Sequence, residues 1–136
     1  MTNKIRLLIT DDSLLFRNVL KNELSKDPSI EVIGMAVDPI DAMEKIKLSD
    51  PDIITLDIEM PKMRGTDFLR QVKPLYPDLQ VVVISSVSGI VFEALQAGAV
   101  DFVAKPRIGI ENGLLELAHL QGRLPAKSLL QQLQLP

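Results

Sequence analysis

The sequence has no cysteine and no tryptophan, and only one tyrosine and one histidine. Without cysteine there is no disulfide framework and no thiolate chemistry, which fits a reducing compartment. His119, alone on a stretch with helical spacing, is read as structural or exposed and is given no role. The net charge is −3 and no basic run occurs, so the chain carries no electrostatic footprint for nucleic acid. No apolar stretch approaches the roughly 20 residues that span a bilayer. The apolar part of the N-terminal MTNKIRLLIT is too short for a secretory signal. Glycine-rich phosphate loops are missing: no G-x-G-x-x-G follows the first apolar run, and there is no Walker loop. Nor is there a G-x-S-x-G nucleophile elbow. These absences disfavour nucleotide-binding folds, serine hydrolases, nucleic-acid binders and membrane proteins. A soluble, cytoplasmic chain of 136 residues is expected, with one domain able to bury a core.

What is present is an alternation. Five apolar, often β-branched runs recur: Ile5 to Ile9, Ile30 to Ala36, Ile53 to Leu56, Val81 to Ile84, and Asp101 to Ala104. Between them lie stretches with helical spacing. The first runs from Ser13 to about Lys26, with Ser13 placed to cap it and Phe16, Val19, Leu20 and Leu24 on one face. The second starts at Asp38-Pro39, an N-cap followed by proline at the first helical position, with Ala42, Met43 and Ile46 on its apolar face. The third carries Phe68, Leu69 and Val72, and Pro74 and Pro77 are expected to end it. The fourth, about Gly89 to Ala97, carries Val91, Phe92 and Leu95 and stops at Gly98. Strands alternating with helices predict a parallel sheet, and the all-apolar runs at Ile53 and Val81 predict strands covered on both faces. The expected fold class is α/β: a doubly wound, five-stranded parallel sheet with helices on both faces.

In such folds ligands bind beyond the carboxyl ends of the strands. At those ends stand Thr10, Asp11 and Asp12; Asp57, then Glu59; Ser85 and Ser86; and Lys105 and Pro106. An apolar strand ending in Asp57 has no structural use for that charge. Crowded carboxylates either take up a proton or hold a cation. Oxygen donors without histidine or cysteine suit Mg²⁺. A carboxylate beside a cation, an ammonium and a hydroxyl is suited to phosphoryl transfer, with the carboxylate as nucleophile. Each residue also has a plainer reading. Asp11 alone could be a favourable charge at a helix start, Lys105 a surface lysine, and Phe102 a core side chain. Ser86 is read as structural, and Met60-Pro61 and Gly65 as loop shape. The convergence of the set on one sheet edge favours function.

The ordered set Asp11-Asp12, Asp57, Met60-Pro61, Gly65, Ser85 and Lys105-Pro106 resembles the receiver domain of two-component response regulators, a flavodoxin-like fold. The resemblance covers about Lys4 to Glu116. The segments DDSLLFRNVL, LDIEMPKMRGTDFL, VVVISS and GAVDFVAKPRIGI are most similar to the N-terminal receiver of chemotaxis protein-glutamate methylesterases. The resemblance implies that Asp57 accepts a phosphoryl group from a histidine kinase. Mg²⁺ would be held by Asp12, Asp57 and the Glu59 carbonyl, with Asp11 acting through water. Lys105 would pair with the phosphoryl group and Ser85 would move onto it. Phe102 would occupy the aromatic switch position, and Lys105-Pro106 would be a cis peptide. Glu59 would tune dephosphorylation. Glu59→Ala is therefore expected to change the lifetime of the acyl phosphate more than Arg64→Ala, and equal lifetimes in the two variants would refute the assignment.

Arg64 departs from the family pattern, and with the nearby Lys62 it is expected to add two cations beside the cleft; the fourth helix is expected to be about a turn shorter than the resemblance implies. The receiver is expected to occupy residues 1–122. Its fifth helix, about Ile110 to Leu120, is broken by Gly122 and Pro125. The tail 123–136 has three open readings: docking on its own domain, pairing with another copy as a homodimer, or starting an interdomain linker. The output partner is left open. As it stands the chain would be a switch that catalyses only its own phosphorylation and dephosphorylation, either alone or as a fragment of a methylesterase. Two alternatives are a Mg²⁺-dependent phosphatase or phosphotransferase of α/β fold, with Glu59 as general acid, and a pseudo-receiver that binds proteins without the chemistry.

Overall fold

A computed structural model describes residues 4–60, 62–85 and 88–104. Each apolar run forms a strand: β1 (Ile5–Thr10), β2 (Ile30–Ala36), β3 (Ile53–Asp57), β4 (Gln80–Ser85) and β5 (Asp101–Ala104). The helices between them are α1 (Leu14–Leu24), α2 (Pro39–Ser49), α3 (Gly65–Leu75) and α4 (Val91–Gln96), the last preceded by a 3₁₀ turn at Ser88–Ile90. All pairings are parallel, in the order β2-β1-β3-β4-β5. Chain order reverses between β1 and β3, so their carboxyl ends open the crevice where this architecture binds ligands.

Strand alternation divides the core in two. Leu7, Ile9, Ile53, Val82 and Ile84 face Phe16, Leu20 and Leu24 of α1. Leu8, Ile54, Leu56, Val81 and Val83 face Ala42 and Ile46 of α2, Phe68, Leu69 and Val72 of α3, and Ala94 of α4. Every residue of β3 is buried, as a central strand covered on both faces requires. None of the described helices is long and apolar enough to cross a membrane.

Local chemistry sets the helix starts. The Ser13 hydroxyl accepts from the Phe16 N–H at 3.2 Å, and the Asp38 carboxylate accepts from the Asp41 N–H at 2.7 Å, with Pro39 at the first helical position. Three expectations need correction. First, α1 ends at Leu24, two residues before Lys26, because the Leu24 carbonyl turns to accept from Asp27 N–H. Second, α3 runs through Pro74 to Leu75. Proline in the last turn costs only one ladder bond, so the helix closes one residue beyond it, and Tyr76 N–H still reaches the Val72 carbonyl at 2.9 Å. Third, the inward face of α4 is not Val91, Phe92 and Leu95. Phe92 is 72% exposed and Leu95 46%, whereas Ile90 and Ala94 are buried. A helix of six residues has one narrow inner stripe. Ala99 N–H bonds the Ala94 carbonyl at 3.0 Å, and that closing turn places the stripe on Ala94. Gly98 does end this helix, at φ +115.

Lys105, Pro106 and the peptide between them, Ser86, His119, the fifth helix and the tail 123–136 lie outside the described residues.

Candidate phosphoryl-transfer site

The site begins with how β1 ends. Asp11 N–H donates to the Ala36 carbonyl of β2 at 3.0 Å, carrying the chain one residue past β1. The Ser13 N–H then donates to Asp11 Oδ1 at 2.8 Å, and the Arg17 guanidinium donates to the Asp11 carbonyl at 2.7 Å. The start of α1 thus fixes the Asp11 carboxylate and its peptide, and Asp11 is 1% exposed. Asp12, the next residue, faces solvent. Ser13 was legible as a cap but not as an anchor for Asp11, because that bond runs from its main chain.

Asp57 is the last residue of β3, level with Ile84 of β4, and only 4% exposed. Its Oδ1 accepts from the Glu59 N–H at 3.2 Å, while the Glu59 side chain is exposed. The connection to α3 closes where Gly65 N–H meets the Ile58 carbonyl at 2.9 Å. Gly65 is more than loop shape. A Cβ there would lie 2.7 Å from both the Asp57 carbonyl oxygen and the Ile58 Cα. Met60, read from the sequence as loop, is packed in the core on the α2–α3 side.

Ser85 ends β4, 1% exposed and in register with Ala104 at the end of β5. Phe102 sits beside Val83 and is partly buried against the core of α2, α3 and α4. The structure therefore brings Asp11, Asp12, Asp57 and Ser85 to the same edge of the sheet, with Phe102 two residues back along β5.

One carboxylate oxygen from each of Asp11, Asp12 and Asp57 lies within 4.8 Å of the others. At that separation two carboxylates repel by about 3 kcal/mol at an effective dielectric of about 20. A cation among them would reverse the sign of that energy. The donors are all hard oxygens, one of them open to water. This set fits a small divalent ion that keeps several of its own waters, as Mg²⁺ does. Among the described residues these three form the metal-competent acidic group.

The two extra cations do not point into this cluster. Lys62 Nζ lies 3.0 Å from Asp38 Oδ2, and the Arg64 guanidinium lies 4.0 Å from Glu93 of α4, which Arg70 also approaches at 3.5 Å. Each cation has an acid on or capping a neighbouring helix, which corrects the expectation of added positive charge over the cleft. A cavity of about 700 Å³ lies at the opposite edge of the sheet, lined by Ile5, Asp50, Tyr76 and Leu79, and is separate from the acid cluster.

The family model for the response regulator receiver domain matches residues 7–114. The chain belongs to the response regulator receiver domain family. Within that family it is CheB-like. A protein-glutamate methylesterase/protein-glutamine glutaminase from Hydrogenovibrio crunogenus is 52% identical over 114 residues, covering 81% of this chain and 30% of that protein. One from Syntrophotalea carbinolica is 52% identical over 118 residues, covering 84% of this chain and 33% of the relative. The chain thus spans about a third of the length of these relatives, over their receiver region. Among solved structures, the response regulator domain of Thermotoga maritima CheB aligns with a TM-score of 0.81 at 34% identity, covering 98% of this chain and 99% of that one. The receiver domain of NarL from Mycobacterium tuberculosis aligns with a TM-score of 0.79 at 30% identity, covering 97% and 98%. The receiver fold, with its five-stranded parallel sheet and flanking helices, is thereby established.

Proposed function

We propose that this chain is a phosphoacceptor switch of a two-component, chemotaxis-type pathway, with Asp57 as the acceptor. The observation that carries the reading is the meeting of three carboxylates, two of them buried, at the β1/β3 crevice of a receiver fold. An Asp57 oxygen attacks the phosphorus of a phosphohistidine on a histidine kinase. The P–N bond breaks, its electron pair returns to the imidazole, and an acyl phosphate forms. Bound Mg²⁺ would supply charge neutralisation at the phosphoryl oxygens. Asp12, Asp57 and the Glu59 carbonyl would hold it, with Asp11 acting through water.

The protein's own part is positional. The Glu59 N–H fixes one Asp57 oxygen, and the Ser13 N–H fixes Asp11. Burial excludes bulk water from the nucleophile, and Glu59, exposed beside it, tunes water access for hydrolysis. Ser85 and Lys105 would bind the new phosphoryl oxygens, and Phe102 would follow Ser85. Charge added at Asp57 would bias a two-state equilibrium through those contacts. Residues 1–122 would form the receiver, and 123–136 a tail or the start of an interdomain linker. The similarity to methylesterases supports a protein-glutamate methylesterase domain as the output in a longer cytoplasmic protein. The switch itself carries out only its own phosphorylation and dephosphorylation.

Removing the metal tests the chemistry. Intact-mass analysis after incubation with acetyl phosphate is expected to show one phosphoryl group in Mg²⁺ and none in excess EDTA. Equal labelling in both conditions would overturn the metal assignment. No labelling in Mg²⁺, together with no beryllofluoride complex, would overturn the switch reading in favour of a pseudo-receiver.

A further inference from the structure

Lys62 adopts φ 76, in the left-handed region that side chains other than glycine, asparagine and aspartate rarely occupy. Such a conformation persists only where its surroundings over-determine it. The described partner is Asp38, whose Oδ2 lies 3.0 Å from Lys62 Nζ. The other oxygen of the same carboxylate, Oδ1, accepts the Asp41 N–H at 2.7 Å and caps α2. A single carboxylate therefore ties the N-terminus of α2 to the connection between β3 and α3. The inner side of that connection bears on the acceptor: Glu59 N–H donates to Asp57 Oδ1 at 3.2 Å, and Gly65 N–H closes on the Ile58 carbonyl at 2.9 Å.

We propose that the Asp38–Lys62 pair is a brace that holds the β3–α3 connection against α2 and thereby sets the Glu59 main chain beside Asp57. Lys62 is a positioning residue, acting through Glu59, and not a phosphate ligand. The Asp41 N–H, and after it Lys62, hold the Asp38 carboxyl below its ordinary value of 3.8, so the brace is charged at neutral pH. The consequence for phosphoryl transfer rests on the switch reading above. The brace itself does not.

The test uses the full chain and two shape-conserving variants. Lys62→Met keeps the length of the side chain, and Asp38→Asn keeps the cap. Amide exchange is followed at Glu59 and Gly65, and Mg²⁺ binding by calorimetry. Each single variant is expected to speed exchange at both amides about threefold and to weaken Mg²⁺ by a similar factor, the size of an exposed ion pair's contribution. The double variant should be no worse than either single one, since the two act through one contact. Lys62→Arg should restore both readouts. Unchanged exchange in both singles, or effects that add in the double, would overturn the brace. So would weaker Mg²⁺ in Lys62→Met with none in Asp38→Asn, because Lys62 would then act at the site itself. If the wild type takes up no phosphoryl group, the switch reading fails, while exchange and Mg²⁺ binding still decide the brace.

Discussion

Asp57→Asn is expected to abolish the phosphoryl adduct completely, in Mg²⁺ and with acetyl phosphate in excess, while the protein stays folded. The amide has the shape of the carboxylate, so the packing at the end of β3 is preserved. An oxygen of that amide can still accept the Glu59 N–H. What disappears is the anionic nucleophile and one of the three charges that make the cluster a cation seat. Both losses act in the same direction, and so a total effect is expected rather than a graded one. Intact mass of wild type and variant side by side checks this, with far-UV circular dichroism as the control for folding. A variant that still gains one phosphoryl group would move the acceptor elsewhere, with the exposed neighbour Asp12 as the first alternative.

Gly65→Ala should destabilise the domain by about 2 kcal/mol, lowering the thermal midpoint by roughly 5–10 °C. Neither of the two atoms nearest the new methyl group can swing aside: both the Asp57 carbonyl oxygen and the Ile58 Cα belong to the main chain, 2.7 Å from the added carbon. The first turn of α3 must back away from the end of β3. That movement also strains the bond from Gly65 N–H to the Ile58 carbonyl and shifts the peptide that bears the acceptor, so phosphoryl uptake should fall together with stability. Gly89→Ala is the matched control, since its added carbon meets nothing within 4 Å. It is expected to leave the midpoint within about 2 °C of wild type, as surface substitutions usually do. Equal midpoints for the two variants would show that the close approach at Gly65 is not rigid.

The strand plan and the acidic edge were legible because they rest on local signals. Apolar β-branched runs specify buried parallel strands, and the polar residues that end them must then face the crevice. Caps at Ser13 and Asp38 were legible for the same reason. What could not be read depends on partners distant in the chain. Lys62 and Arg64 looked like cations near the site, yet their acids are the cap of α2 and a residue of α4, and nothing local announces such pairing. Gly65 looked like a turn glycine because the chain that crowds it arrives from β3. In α4 the side-chain bulk of Phe92 and Leu95 suggested an inner face. In so short a helix the small residue, Ala94, is the one that fits against the sheet.

Among the described residues, the segment from Ser88 to Gln96 buries one isoleucine and one alanine, while its largest side chain lies in solvent. Burial of apolar surface scales with area, so this stretch holds to the sheet far less firmly than α1 or α3, each of which sinks a buried phenylalanine. Among the described helical segments it is therefore the one expected to open at the lowest free energy. It also begins a few residues beyond Ser85. On the switch reading proposed above, a small shift at that hydroxyl would need to displace only a weakly seated unit, so an Ångström-scale event at the end of β4 would become a change of surface without loosening the rest of the sheet.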